Sequence, residues 1–259
     1  MNANFPVDDN VVTLCKARNK MKIVLTYGLG IIIATLFIPK MQHAQNTNFK
    51  AKRFKMLAEQ IISRGIKNEE VIKAMQAVER HLFVPHHLQK YAYQDRPLPI
   101  GYEQTISQPY IVALMSQLLD VKEGEKILEI GTGSGYQAAV LAEMKGRIFS
   151  IEIVRPLQKR AAFVLDSLAY KNVETCYGDG YLGWPDQAPF DGIIVTCSPT
   201  KVPQALVDQL AEGGKLVIPV GLKNVKKLVL LEKKKGKIIQ KNVISVRFVP
   251  MVDLHGNQY

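Results

Sequence analysis

Three glycines at alternate positions, Gly131, Gly133 and Gly135, with an acid twenty-one residues after the first, Glu152, form the most chemically specific pattern in this chain. A glycine turn lets a ligand touch backbone with no Cβ in the way, and a carboxylate at that distance can accept both hydroxyls of a ribose. The pattern predicts a site for a nucleoside-containing cofactor. The elements that must position it are legible on either side. An apolar run, Ile127, Leu128 and Ile130, leads into the glycines, and helical spacing resumes through Ala138, Ala139, Leu141 and Ala142. Glu152 ends the next strand-like run, Arg147-Ile-Phe-Ser-Ile-Glu152.

The loop discriminates between cofactors. A dinucleotide loop, G-x-G-x-x-G, would place its third glycine where this chain has Tyr136, and its helix would face a pyrophosphate. The form found here, G-x-G-x-G with Glu129 just before it, resembles the first motif of class I S-adenosylmethionine-dependent methyltransferases. An acid beside the loop would repel pyrophosphate, but it suits the cationic amino-methionine end of S-adenosylmethionine, indirectly or through water.

From Lys126 onward, strand and helix patterns alternate. Strands are expected at 126–130, 147–152, 173–178, 190–196, 215–220, 227–233 and 237–249, and helices near 136–144, 155–168 and 201–211. Such alternation calls for an α/β fold, a mostly parallel sheet of seven strands covered by helices on both faces. Lys235-Gly236 between the last two strands predicts an antiparallel hairpin at one edge. Upstream, Phe54, Leu57, Ile61 and Ile62, then Val71, Ile72, Met75 and Val78, have helical spacing and form a small cap. A loop-like region with Pro97, Pro99 and Gly101 follows, and Pro109 opens a helix carrying Ile111, Leu114, Met115 and Leu118 on one face. The chain thus divides into a leader, 1–49, a helical cap with a substrate loop, 50–120, and a cofactor core, 121–259. Ligands in such sheets sit beyond the carboxyl ends of the strands, at the switch point. Gly131, Glu152, Asp179 and the 196–199 loop are expected to converge there. Asp179, in Gly178-Asp-Gly180, either reaches adenine or ribose or stabilises its own turn.

With 259 residues and 47% hydrophobic content the chain can bury the core of one sizeable domain. Its formal charge of +11 resembles a nucleic-acid signal until it is located. Residues 1–55 hold nine Lys/Arg against two Asp, while the remaining 204 hold 25 against 21. Much of that remainder is Lys226–Lys241 on the edge hairpin, where lysines more often block aggregation than grip phosphate. No nucleic-acid partner follows. Cys15, Cys176 and Cys197 are far apart and give neither a disulfide framework nor a zinc spacing. His81, His86 and His87 lack a carboxylate at ligand spacing, so no metal site is expected.

Ile23–Ile38 is an uncharged, largely apolar run of sixteen residues behind Lys16, Arg18, Lys20 and Lys22. It is short for a membrane span, which needs roughly 17–25, and matches a signal-peptide core or a tether. Met21 is an alternative start. Because S-adenosylmethionine is made and held in the cytoplasm, the expectation is a cytoplasmic catalytic domain, with export or anchoring through 23–38 as the alternative.

Four further segments stand beside the glycine loop: Pro97-Leu-Pro-Ile-Gly101, Thr105-Ile-Ser-Gln-Pro109, Pro189-Phe-Asp-Gly-Ile-Ile-Val-Thr196 and Phe248-Val-Pro250. Together they resemble the protein-L-isoaspartate O-methyltransferases, which methylate damaged aspartyl residues, over roughly residues 54–252. The resemblance implies a Rossmann-like class I methyltransferase fold, S-adenosyl-L-methionine as cofactor, and damaged proteins or peptides bearing isoaspartyl residues as partners, handled by a monomer. It also implies residue roles. Ser107 belongs to the active site, and Thr105 and Ile106 line substrate and cofactor. Phe248 and Val249 offer backbone to the peptide. Glu129, Gly131, Thr132, Gly133, Gly135, Glu152, Asp179 and Gly180 hold the cofactor. One departure is Tyr102-Glu103-Gln104 in place of the more usual His-Gly-Gln; Glu103 is expected to point to solvent.

The chemistry stands beside the resemblance. A substrate carboxylate with pKa near ~4 is already ionised at neutral pH, so methyl transfer needs alignment rather than a strong base. A serine hydroxyl fits as a hydrogen-bond donor to one carboxylate oxygen. No His/Asp pair is evident to activate Ser107 as a nucleophile; capping the helix that Pro109 opens is its other reading. An amino-methyltransferase acting on nucleic acid would carry an Asn/Asp-Pro-Pro-aromatic motif where this chain has Thr196-Cys-Ser-Pro199. A nicotinamide oxidoreductase is disfavoured by Tyr136. Methylation of another carboxylic acid or small molecule, or cofactor binding without turnover, remain the other readings.

Overall fold

The computed structural model describes residues 48–222 and 225–259. Residues 48–56 form a helix, α1, which continues into a π turn, Leu57–Ile61, and a 3-10 turn, Ile62–Arg64, before Gly65 stops it in the left-handed region. Helix α2, Glu69–Ala77, starts where the Asn68 side chain accepts from the backbone N–H groups of Glu70 and Val71, and buries Val71, Ala74 and Met75. The 3-10 segments Arg80–Phe83 and His86–Tyr91 lead to two short strands, β1, Leu98–Gly101, and β2, Gln104–Ile106. These pair as an antiparallel hairpin within the region the sequence reads as loop. Prolines hide the strand signal there, and its turn forces positive φ on Gly101, Tyr102 and Glu103. Helix α3, Pro109–Leu119, follows, with proline in its first turn, where no backbone donor is needed.

The core is a seven-stranded sheet built from β3, Lys126–Ile130, β4, Arg147–Glu152, β5, Val173–Tyr177, β6, Phe190–Val195, β7, Leu210–Val220, β8, Lys226–Lys234, and β9, Lys237–Val246. Helices α4, Tyr136–Glu143, α5, Arg155–Ser167, and α6, Gln204–Asp208, lie between them. The spatial order is β5-β4-β3-β6-β7-β8-β9; β3 to β7 run parallel and β8 and β9 return antiparallel. Alternate residues of β3 serve opposite faces: Ile127 joins the apolar layer under α3, α4, α5 and the cap, while Leu128 and Ile130 join that under α6, Trp184 and Phe190. The chain leaves β3 towards β4 on one side and reaches β6 on the other, so the switch point lies between β3 and β6. Register sets its depth: Ile130 sits opposite both Ile151 and Val195, so the turns after β3, β4 and β6 open at one level.

Three expected elements differ: the strand read over 215–220 starts already at Leu210. The helix read over 201–211 is only Gln204–Asp208, because Pro203 precedes its start and Leu210 already pairs with Phe190 in the sheet. The strand read over 237–249 ends at Val246, because the next residues leave the edge to bond Ser198: its N–H donates to the Val249 carbonyl at 2.9 Å.

Candidate active site

The glycine loop after β3 is fixed by its neighbours. The N–H groups of Gly131 and Thr132 both donate to the Ile151 carbonyl, at 2.8 and 3.2 Å. From the other side of the switch point, Thr196 Oγ1 donates to the Gly131 carbonyl at 2.7 Å and to that of Ile130 at 3.0 Å. Gly131 has φ +93°, and a Cβ there would stand 2.5 Å from Thr196 Oγ1. Both the conformation and the close approach therefore demand glycine.

Two expected carboxylates, Glu152 and Glu129, meet around this loop, and Asp179 stands in the turn after β5. Glu152, at the end of β4, is buried; it accepts from the Gly133 N–H at 2.7 Å and from the Val154 N–H at 2.9 Å. With the Ile153 N–H as a third backbone donor, the carboxylate still has accepting capacity for a ligand hydroxyl. Burial pushes its pKa up against those backbone hydrogen bonds. Glu129 is fully buried; Ser150 Oγ donates to it at 2.5 Å, and Thr132 Oγ1 lies 2.6 Å from Ser150 Oγ. Among the described residues its Oε1 has no hydrogen-bond partner. Burial, opposed by Ser150 and reinforced by the charge of Glu152, pushes the Glu129 pKa up to about 8. Asp179 accepts the Tyr181 N–H at 2.9 Å and, on its other oxygen, the hydroxyl of Tyr259. Its turn-stabilising reading holds, and the contact from the far end of the chain adds to it. Gly180 packs beneath: a Cβ there would lie 2.3 Å from Ile130 Cγ2.

The substrate loop joins this cluster. Ser107 lines an open pocket with Thr105, Ile106, Gly131, Thr132, Gly133 and Thr196. Helix α3 begins after Gln108 with no side-chain cap, so Ser107 does not serve as one. Its carbonyl accepts from Arg80 at 2.7 Å, whereas its hydroxyl has no partner among the described residues. Two tethers hold the segment: Gln108 Nε2 donates to Asp95 Oδ1 at 2.8 Å, and Arg160 on α5 donates to the Ile100 carbonyl at 2.5 Å. Gly135 ends the glycine turn at φ +87° and leads into α4. Phe248 and Val249 lie beside the loop after β6, with the Val249 carbonyl already committed to Ser198. Glu103 is exposed at the hairpin tip, as expected.

Sequence reasoning missed Ser150 and Tyr259, and placed Thr196 only as part of the 196–199 loop. Ser150 had a usable signal, since it shares a strand face with Glu152 two residues on. Thr196 is the first residue beyond β6 and faces the switch point by topology alone. Tyr259, stacked on Tyr181 with ring centroids 3.9 Å apart, gave none. Among the described residues no three His, Cys, Asp or Glu group as a metal site, and no helix is long and apolar enough to cross a membrane; the run 23–38 lies outside them.

Comparison with known proteins identifies the family. The family model described as protein-L-isoaspartate(D-aspartate) O-methyltransferase matches residues 52–256. The protein-L-isoaspartate O-methyltransferase 1 of Syntrophobacter fumaroxidans is 54% identical over 209 residues, 81% of this chain and 98% of the relative. That of Gloeobacter violaceus is 50% identical over 197 residues, 76% of this chain and 96% of the relative. A solved protein-L-isoaspartate O-methyltransferase superposes with TM-score 0.71 at 31% identity, covering 80% of this chain and 67% of its own. A Plasmodium falciparum structure bearing the same family's name, in complex with S-adenosyl-L-homocysteine, gives TM-score 0.68 at 27% identity over 78% of this chain and 97% of its own.

Proposed function

The chain belongs to the protein-L-isoaspartate(D-aspartate) O-methyltransferase family, and from that premise we propose how its own residues carry the reaction. The activity is transfer of the methyl group of S-adenosylmethionine to the free carboxylate of L-isoaspartyl residues, giving a methyl ester. The observation that carries the residue assignment is the meeting of an unpartnered Ser107 hydroxyl and the glycine loop in one pocket.

The site fits the cofactor on two counts: Gly131 leaves a cradle that a Cβ would fill, and Glu129 holds a buried oxygen without a partner among the described residues. When bound, S-adenosylmethionine supplies a methyl group made electrophilic by its sulfonium. Gly131, Thr132, Gly133 and Gly135 let a ligand approach the backbone closely. Glu152 offers its remaining lone pairs to ribose hydroxyls, and Asp179 with Gly180 borders the base. Glu129 acts on the amino-methionine end through its buried oxygen. Ser107 donates its hydroxyl to one oxygen of the acceptor carboxylate and so aims the other. Thr105 and Ile106 flank the acceptor, and Phe248 and Val249 support the peptide from the opposite rim. No group removes a proton, because the carboxylate arrives ionised; the protein's contribution is positioning.

In this reading residues 50–120 form the cap and substrate loop and 121–259 the cofactor core. The cofactor's synthesis in the cytoplasm supports that compartment.

Ser107→Ala tests the assignment. The expected result is a fall in kcat of about tenfold or more with the cofactor Kd unchanged within twofold. Equal loss of turnover and cofactor affinity would assign Ser107 to folding or cofactor binding instead.

A further inference from the structure

We propose that Arg80 is the positioning residue of the substrate loop, a buried cation that fixes Ser107 and lends positive charge to the acceptor carboxylate. The inference rests on the assignment of Ser107 to that carboxylate.

Arg80 is 0% exposed. An arginine is almost never fully buried unless it is paired. Here the guanidinium spends its donors on backbone: Nε donates to the Ala92 carbonyl and Nη2 to the Ser107 carbonyl, each at 2.7 Å. Its central carbon lies over the Tyr136 ring, 4.8 Å from the centroid, and among the described residues the buried Nη1 has no partner. The titratable groups that face it are Tyr136 and Tyr93. Burial pushes the Tyr136 phenol up to about 12, and it raises Tyr93 as well, so neither provides negative charge at neutral pH. Arg80, lowered by burial to about 10, remains charged. Among the described residues this cation has no carboxylate counter-ion.

A filler for this space would not need charge, since a buried ion without its partner is costly and an apolar side chain of similar volume is often tolerated better. The cation becomes useful once an anion arrives nearby. Both groups that Arg80 touches on the site side, Ser107 and Tyr136, line the pocket that also contains the glycine loop. Arg80 does not line it. Its action therefore passes through the Ser107 backbone, which its fork holds, and through the low-dielectric interior, where a fixed charge is felt strongly. An ionised carboxylate is the chemistry that completes it.

The test compares Arg80→Met and Arg80→Lys with Ser107→Ala, measuring thermal unfolding, cofactor Kd, and KM and kcat on an isoaspartyl peptide. Arg80→Met, which keeps length and loses charge, is expected to fold, to bind S-adenosylmethionine within twofold of the original, and to raise peptide KM at least tenfold while kcat falls. Arg80→Lys keeps the charge without the fork, so KM returns most of the way and kcat stays low. Unchanged KM and kcat in either variant, or losses that merely follow lowered thermal stability and cofactor affinity, would overturn the proposal. If Arg80→Met does not fold, the KM-against-kcat split of Arg80→Lys decides. Full turnover in Ser107→Ala would defeat the Ser107 assignment itself, whereas an impaired Ser107→Ala beside an unimpaired Arg80→Met would defeat only the role of Arg80.

Discussion

The backbone N–H of Gly133 donates to Glu152 Oε2 at 2.7 Å, so the middle of the glycine turn is held by the acid that ends the neighbouring strand. Parallel register makes this possible, because β3 and β4 pair residue for residue from Lys126 with Arg147 to Ile130 with Ile151. A loop and an acid nineteen residues apart in sequence thus become one rigid unit before any ligand arrives. Rigidity of this kind lowers the ordering cost of binding.

Gly131→Ala is expected to damage that unit. The residue would adopt φ +93° with its Cβ 2.5 Å from Thr196 Oγ1. Left-handed backbone costs a non-glycine residue roughly 1–2 kcal/mol, and the clash adds to it. Urea unfolding will show a loss of about 2 kcal/mol or more and weaker cofactor binding. Adding Thr196→Ala will restore part of the stability by removing the clash. No recovery would locate the whole cost in the backbone.

Glu129 gives a pH signature. Its pKa in the folded protein, about 8, lies above the ordinary 4.5, chiefly through burial. Its protonated form is therefore favoured by folding. That contribution is complete below about pH 4.5 and is lost as pH rises through about 8. Relative to Glu129→Gln, which cannot titrate, the unaltered protein will lose stability across this window, by on the order of a few kcal/mol. Thermal unfolding of both proteins from pH 5 to 8.5 checks it; parallel curves would contradict the buried neutral acid.

Tyr259 lies just past the residues that the family model matches, yet its hydroxyl donates to Asp179 and its ring stacks on Tyr181. Removing that hydroxyl in Tyr259→Phe leaves the stack and frees the carboxylate to rotate. The expected effect is a cofactor Kd weaker by about fivefold, in line with roughly 1 kcal/mol for a hydrogen bond, with kcat at saturation unchanged. Calorimetric titration reads it directly; an unchanged Kd would remove Asp179 orientation from cofactor binding.

The sequence carries the parts of this site that local spacing encodes. Gly131, Gly133, Gly135 and Glu152 are legible because a strand-turn-helix unit and the strand after it are nearly contiguous in the chain. The same periodicity yields the seven strands, since parallel strands buried on both faces read as apolar runs. What was not legible depends on long-range pairing. The hairpin Leu98–Ile106 is masked by prolines whose edge position only the fold reveals. The early end of β9 follows from the bond between Ser198 and Val249, and the short α6 from pairing of Leu210 with Phe190. Arg80 and Tyr259 reach the site across 27 and 80 residues, to Ser107 and Asp179, and no local pattern announces them.

The most direct measurement is methyl transfer from labelled S-adenosylmethionine to two peptides, identical except for an isoaspartyl or a normal aspartyl linkage. The account predicts base-labile label on the isoaspartyl peptide alone, because a methyl ester forms only where the free carboxylate reaches Ser107. Label on both peptides, or on neither while the cofactor still binds, would contradict it.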